Sequence, residues 1–207
     1  MFYSLLLFCF ISFLYSQLLV FFDFIGLFNH IKLGELRELS FGGVSVFGLN
    51  MIVFYYLFVA LIEELSKHIN FLGTSLGFVK TINKGVLYTF FVALGFVFLE
   101  NILYIYNTYI AYGLSSDTIT VYFSRSVFSL MLHIFCSGVI AYYFSKAYLE
   151  YGKSFNLGYV KNLLIGIFFS VLLHSFFDIS LEFGWTFVMI LYFVFGYFYI
   201  TSIFYKS

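Results

Sequence analysis

The sequence predicts an all-α, polytopic integral membrane protein, a helix bundle of about six transmembrane helices. Three observations predict it. The 207 residues are 63% hydrophobic with a mean hydropathy of +1.02, and only 10% are Asp, Glu, Lys or Arg. A soluble domain carries roughly a quarter of such charged residues. Apolar runs of about 20 residues recur along the chain, each long enough to cross a bilayer as a helix. Proline is absent, which suits long unbroken helices. The same numbers exclude a soluble globular domain and a disordered chain. A formal net charge of zero offers no footprint for nucleic acid.

The first run covers roughly 3–28 and begins FYSLLLFCFISFLYSQLLVFF. It has no basic flank before it and no small-residue cleavage site after it, so it reads as a retained helix and not a removed signal peptide. The second run lies within 46–72, the third at 82–107, the fourth at 121–148, the fifth at 161–182 and the sixth at 186–205. No connecting segment is long enough to be a separate domain, so 1–207 reads as one transmembrane domain. Lys80 and Lys84 lie between the second and third runs, Lys146, Lys153 and Lys161 around the loop between the fourth and fifth, and Lys206 near the end. Only Lys32 and Arg37 fall on the other side. The positive-inside rule then predicts a multi-pass protein of the cell (inner) membrane with both termini in the cytoplasm. Segment 29–43, with Glu35 and Glu38 beside its basic residues, reads equally as an interfacial helix or a solvated loop. Cys9 and Cys136 sit in apolar runs, so neither a disulfide framework nor a Cys-ligated metal site is expected.

Ionisable groups at membrane depth are costly and mark candidate functional positions. Four clusters qualify. The first is Glu63-Glu64-Leu65-Ser66-Lys67-His68. On a helix Lys67 is a near neighbour of both glutamates, so it can hold one carboxylate while the other stays free for chemistry. The competing reading is a charged flank where the helix leaves the membrane. The second is Glu100-Asn101, flanked by apolar residues on both sides. A Glu there needs a partner, a proton, a metal ion or a water-filled cavity. The third is His133, near the middle of the fourth run, with Arg125 two turns earlier placed to snorkel. The fourth is His174 with Asp178, spaced so that both project from one helix face. A carboxylate one turn from an imidazole can fix its tautomer and orientation.

Four helices thus each offer a group suited to activating water, since Glu and His serve as general bases and as zinc ligands. The constellation suggests hydrolysis inside the membrane. The sequence has no H-E-x-x-H, no Gly-x-Gly-Asp and no Gly-x-Ser-x with a matching His, which removes zincin-type, presenilin-like and rhomboid proteases. Depth sets a condition. At 1.5 Å per residue Glu100 lies about 22 Å along its helix from the cytoplasmic end and His174 about 20 Å along its own. A shared site therefore requires the second helix to begin near residue 50 and run past His68.

From about residue 55 to the end, these motifs resemble the PrsW family of intramembrane proteases. The pattern Glu-Glu-x-x-Lys stands here as Glu63-Glu64-Leu65-Ser66-Lys67, and Phe-x-x-x-Glu-Asn as Phe96 through Glu100-Asn101. An Arg with a helix-borne His stands as Arg125 and His133, and His-x-x-x-Asp as His174 through Asp178. The family often carries more spanning helices before its first motif than this chain shows. The resemblance implies an intramembrane endopeptidase acting in regulated intramembrane proteolysis on a membrane-anchored protein such as an anti-sigma factor. It implies Glu63 or Glu64 with a histidine as the water-activating base, Lys67 balancing the charge, and Glu100, His133 and His174 completing the site. Asp178 would orient His174, and Asn101 would donate to the oxyanion. A metal version would use one divalent ion such as zinc, with Glu64 (or Glu63), Glu100, His133 and His174 as candidate ligands. A metal-free Glu–His pair is the alternative.

Three rival readings remain at this point. A CAAX-like membrane endopeptidase is similar, but its pattern places an Arg one residue beyond the position of Lys67. A proton-coupled transporter could use the same Glu and His residues, yet the chain has neither inverted repeats nor Pro-broken helices. A catalytically silent scaffold would tolerate change at every polar position.

Overall fold

A computed structural model describes residues 46–152 and 156–205. The first apolar run, segment 29–43, Cys9, Lys153, Lys206 and the side chain of Arg125 lie outside the described residues. The chain divides into two units, Met1–Tyr55 and Tyr56–Ser207. Of the first, only the opening stretch of one helix, 46–55, is described.

The described residues form α-helices and short helical turns, with no strand among them. Helix α1 spans Val46–Ser75 and is followed by a single 3-10 turn at Leu76–Phe78. Helix α2 spans Ile82–Tyr112. Its start is capped by Thr81, whose side chain accepts from the Lys84 backbone N–H at 3.2 Å. It stops at Gly113, whose φ of 64° is left-handed and costs a residue without Cβ nothing. Helix α3, Ser116–Ser124, passes through a five-residue π-turn, Arg125–Ser129, into α4, Leu130–Tyr151. Asn156 caps α5, Leu157–Glu182, by accepting from the Tyr159 N–H at 2.8 Å. Helix α6 spans Thr186–Tyr205.

These six helices are not the six apolar runs one for one. The first run lies outside the described residues, and the fourth is divided by the π-turn into α3 and α4. α1 runs through the Glu-Glu-x-x-Lys cluster and on to Ser75, so that cluster is not a charged flank at a helix exit. Three stretches are long and apolar enough to span a bilayer by length and composition: Ile82–Tyr112, Ser126–Tyr151 and Leu157–Glu182. The protein is a multi-pass membrane protein built of helices.

α4 occupies the middle, packed against α2 on one side and α5 on the other. Without a hydrophobic force between helices in lipid, close approach relies on small residues. Gly166 of α5 meets the α4 backbone so closely that an added Cβ would sit 3.3 Å from Ile140 Cα. Apolar clusters fill the contacts: Phe71, Val79, Phe144, Ala147 and Tyr159 in one, and Leu132, Cys136 and Phe177 in another. Large side chains such as Phe91, Phe98, Ile110 and Phe198 point outward, where lipid is the solvent.

Candidate active site

The polar residues picked out by their depth come together where α1, α2, α4 and α5 meet. Glu64 is fully buried and accepts from three donors. Oε1 takes the Lys67 ammonium and the His174 Nδ1–H at 2.7 Å, and Oε2 takes the Ser170 hydroxyl at 3.0 Å. A buried carboxylate is tolerable only when paired and hydrogen-bonded in this way. Ser170 Oγ also stands 2.8 Å from the Cys136 carbonyl, which ties α5 to α4 at the same point.

Lys67 bridges α1 to α4. Its ammonium lies 2.8 Å from His133 Nδ1 and over the Phe96 ring at 5.3 Å. An ammonium has only protons to offer, so Nδ1 accepts and the neutral His133 ring carries its proton on Nε2. That nitrogen is 2.8 Å from Glu100 Oε2. The His133 and His174 rings meet edge to face, their centroids 4.9 Å apart.

His174 is oriented by the opposite logic. Nδ1–H donates to Glu64, and Nε2 is left facing two further carboxylates. Glu63 Oε2 is 3.6 Å from it and Asp178 Oδ2 is 3.5 Å from it. Glu63 Oε2 is buried yet makes no hydrogen bond among the described residues. Neighbouring glutamates on one helix therefore meet different surroundings. The oxygens of Glu64 are engaged, whereas Glu63 presents to His174 Nε2 an oxygen without a hydrogen bond among the described residues. Asn101 Oδ1 is buried without a hydrogen-bond partner among the described residues.

Four carboxylates, Glu63, Glu64, Glu100 and Asp178, thus share one ammonium and two imidazoles. Such an acidic excess at membrane depth calls for bound protons or a divalent cation. The donor set fits a metal in two ways. Glu63, His133 and His174 bring ligand atoms within 4.8 Å of one another, and so do Glu64, Cys136 and His174. Sequence reasoning named Cys136 but expected no Cys-ligated metal site, whereas its Sγ stands with Glu64 and His174 as a possible ligand; Ser170 it passed over. Cys136 hides in an apolar run. Ser170 stands one turn before His174, on the face shared with Asp178, and that spacing is the signal that could have found it.

The sequence matches the family described as PrsW family intramembrane metalloprotease over residues 4–203. The chain belongs to this family. It is also 29% identical over 112 residues to "Protease PrsW" of Clostridioides difficile (strain 630), a stretch covering 53% of this chain and 44% of that protein. The matched stretch spans less than half of that relative's length. No solved structure matches the chain. In this PrsW family member the four sequence motifs lie on α1, α2, α4 and α5, which are the helices that supply the cluster.

Proposed function

We propose that this protein is an intramembrane endopeptidase that hydrolyses a peptide bond of a membrane-anchored protein by a Glu- and His-activated water. The supporting observation is the pairing of the buried Glu63 Oε2, without a hydrogen bond among the described residues, with His174 Nε2 at 3.6 Å, in a ring fixed from behind by Glu64. The geometry of general-base chemistry is a carboxylate or imidazole within reach of a proton it can remove, held by a third group.

In this reading Glu64 is the orienting residue. It fixes the His174 tautomer through Nδ1, and Lys67 and Ser170 keep its oxygens in place. Glu63 and His174 take the proton from water as its oxygen attacks the scissile carbonyl carbon. The proton passes to the departing amine as the C–N bond breaks. Asn101 donates its amide N–H to the developing oxyanion. In the metal alternative Glu63, His133 and His174 would serve as ligands and not as proton acceptors, with one His133 nitrogen released from its present partner, since Glu64 already accepts from three donors. A divalent metal such as zinc held there would supply Lewis acidity that polarises the carbonyl. Asp178, at 3.5 Å from His174 Nε2, then remains as a carboxylate able to accept a proton.

The substrate class is a protein anchored in the same bilayer, with an anti-sigma factor as the type that the family resemblance implies. The lysine distribution along the sequence supports a protein of the inner membrane with both termini on the cytoplasmic side. Purified protein reconstituted with membrane proteins extracted from its native host should generate new peptide termini by mass spectrometry. His174→Ala should abolish them while the helical content is unchanged. Termini that persist in this variant would remove His174 from the reaction.

A further inference from the structure

We propose that His68 and Ser137 bind an internal water beside Glu64, within the bundle, which serves as a water store for the hydrolytic site. The two residues play no part in the chemistry above. His68 is 5% exposed and Ser137 is 1% exposed. Neither ring nitrogen of His68 and neither lone pair of the Ser137 hydroxyl has a hydrogen-bond partner among the described residues.

Other buried helix hydroxyls behave differently. Thr89 donates back to the Gly85 carbonyl at 2.9 Å, and Ser66 to the Glu63 carbonyl at 2.9 Å. Ser137 does not use this common outlet. Buried polar groups in proteins nearly always have partners, and where the chain provides none an ordered water with two to four contacts does so.

Placement brings the two together. α1 and α4 are joined at two levels in the same order along both helices, since Lys67 meets His133 and Phe71 meets Phe144. Successive helix positions turn by about 100°, so Ser137 lies within roughly 40° of both His133 and Phe144 and faces α1 with them. His68 is one turn past Glu64 and packs edge to face on Phe144, centroids 4.9 Å apart. Phe71 and Phe144 close the layer beyond His68 towards the end of the bundle that carries Lys80 and Lys84. A water held here is enclosed by aromatic rings on one side and adjoins the Glu64 carboxylate on the other. Its role as a store rests on the hydrolytic reading above, but its presence does not.

X-ray radiolytic labelling of the full-length protein in bilayer discs tests this directly, because bound water generates hydroxyl radicals in place. The expected result is oxidation of Phe144, a ring only 1% exposed, in the wild type. Oxidation should fall at least fivefold in His68→Phe, which replaces the polar ring by an apolar one. Ser137→Ala, with little change in volume, should lower it as well, and decides the matter if His68→Phe does not fold. Absence of Phe144 oxidation in the wild type, or equal oxidation in the variants, would overturn the proposal. Labelling that behaves as expected in a protein without proteolytic activity would leave the water site standing and remove only the hydrolytic reading.

Discussion

Lys67→Met isolates the electrostatic balance at the centre of the site. The methionine keeps an unbranched stem of similar length in a position that is 2% exposed. Glu64 would keep the His174 and Ser170 hydrogen bonds but lose the Lys67 ammonium, and His133 Nδ1 would lose its donor. Removing one partner of a buried pair costs about 3–5 kcal/mol, because the remaining charge is stranded. Glu64→Gln strands Lys67 in the same way. The double variant removes both charges while the Gln oxygen can still accept from His174 and Ser170, so about 1–3 kcal/mol is expected. The double variant should therefore be less destabilised than the sum of the singles by at least ~2 kcal/mol. Reversible unfolding in mixed detergent micelles, followed by circular dichroism, measures all three. A Lys67→Met loss below about 1 kcal/mol, or strict additivity, would refute the buried-pair reasoning.

Four further outcomes follow from particular positions. Ser170→Ala removes the hydroxyl that meets Glu64 Oε2, so stability should fall by about 1–2 kcal/mol; kcat should drop with KM unchanged, and Ser170→Thr should recover part of both. Gly166→Ala places a Cβ against the Ile140 backbone and should destabilise by about 1–3 kcal/mol. Gly95→Ala meets nothing within 4 Å and should stabilise α2 by about 0.5–1 kcal/mol in the same unfolding assay. Purified protein equilibrated with zinc should retain about one ion per chain by elemental mass spectrometry, with affinity lowered at least ~10-fold in Glu63→Ala; equal zinc in both would take Glu63 out of the ligand set.

The helical membrane fold was legible because so few charged side chains cannot clothe a soluble surface. Three spans, Ile82–Tyr112, Ser126–Tyr151 and Leu157–Glu182, were legible because apolar runs of bilayer length have one economical conformation. Two details escaped hydropathy. Hydropathy allowed α1 to continue past His68, as a shared site required, but left its end at Ser75 open because the polar cluster at 63–68 interrupts the apolar pattern; Lys67 pairs with Glu64 there inside the bundle. The break at Arg125–Ser129 leaves no mark in hydropathy, because a π-turn changes the hydrogen-bond register and not the composition. Glu100, His133 and His174 stood out because an ionisable group deep in an apolar run is costly. Ser170 did not, since serine is common in membrane helices and usually returns its hydroxyl to its own backbone. The division of labour between Glu63 and Glu64 was equally hidden. Adjacent residues differ by about 100° in direction, and only the packing of α5 shows which one meets the Nδ1 of His174 and which the Nε2.

Hydrolysis at the Glu63–His174 pair is the core of this account, and a comparison of protein termini in native-host membranes reaches it most directly. Membranes expressing the wild type would be compared by terminal-peptide mass spectrometry with membranes expressing Glu63→Gln at the same level, with Lys80→Gln as a control outside the site. The account predicts new termini in or near spanning segments with the wild type and with Lys80→Gln, and none of them with Glu63→Gln. Identical termini from all three proteins, each folded and inserted, would contradict it.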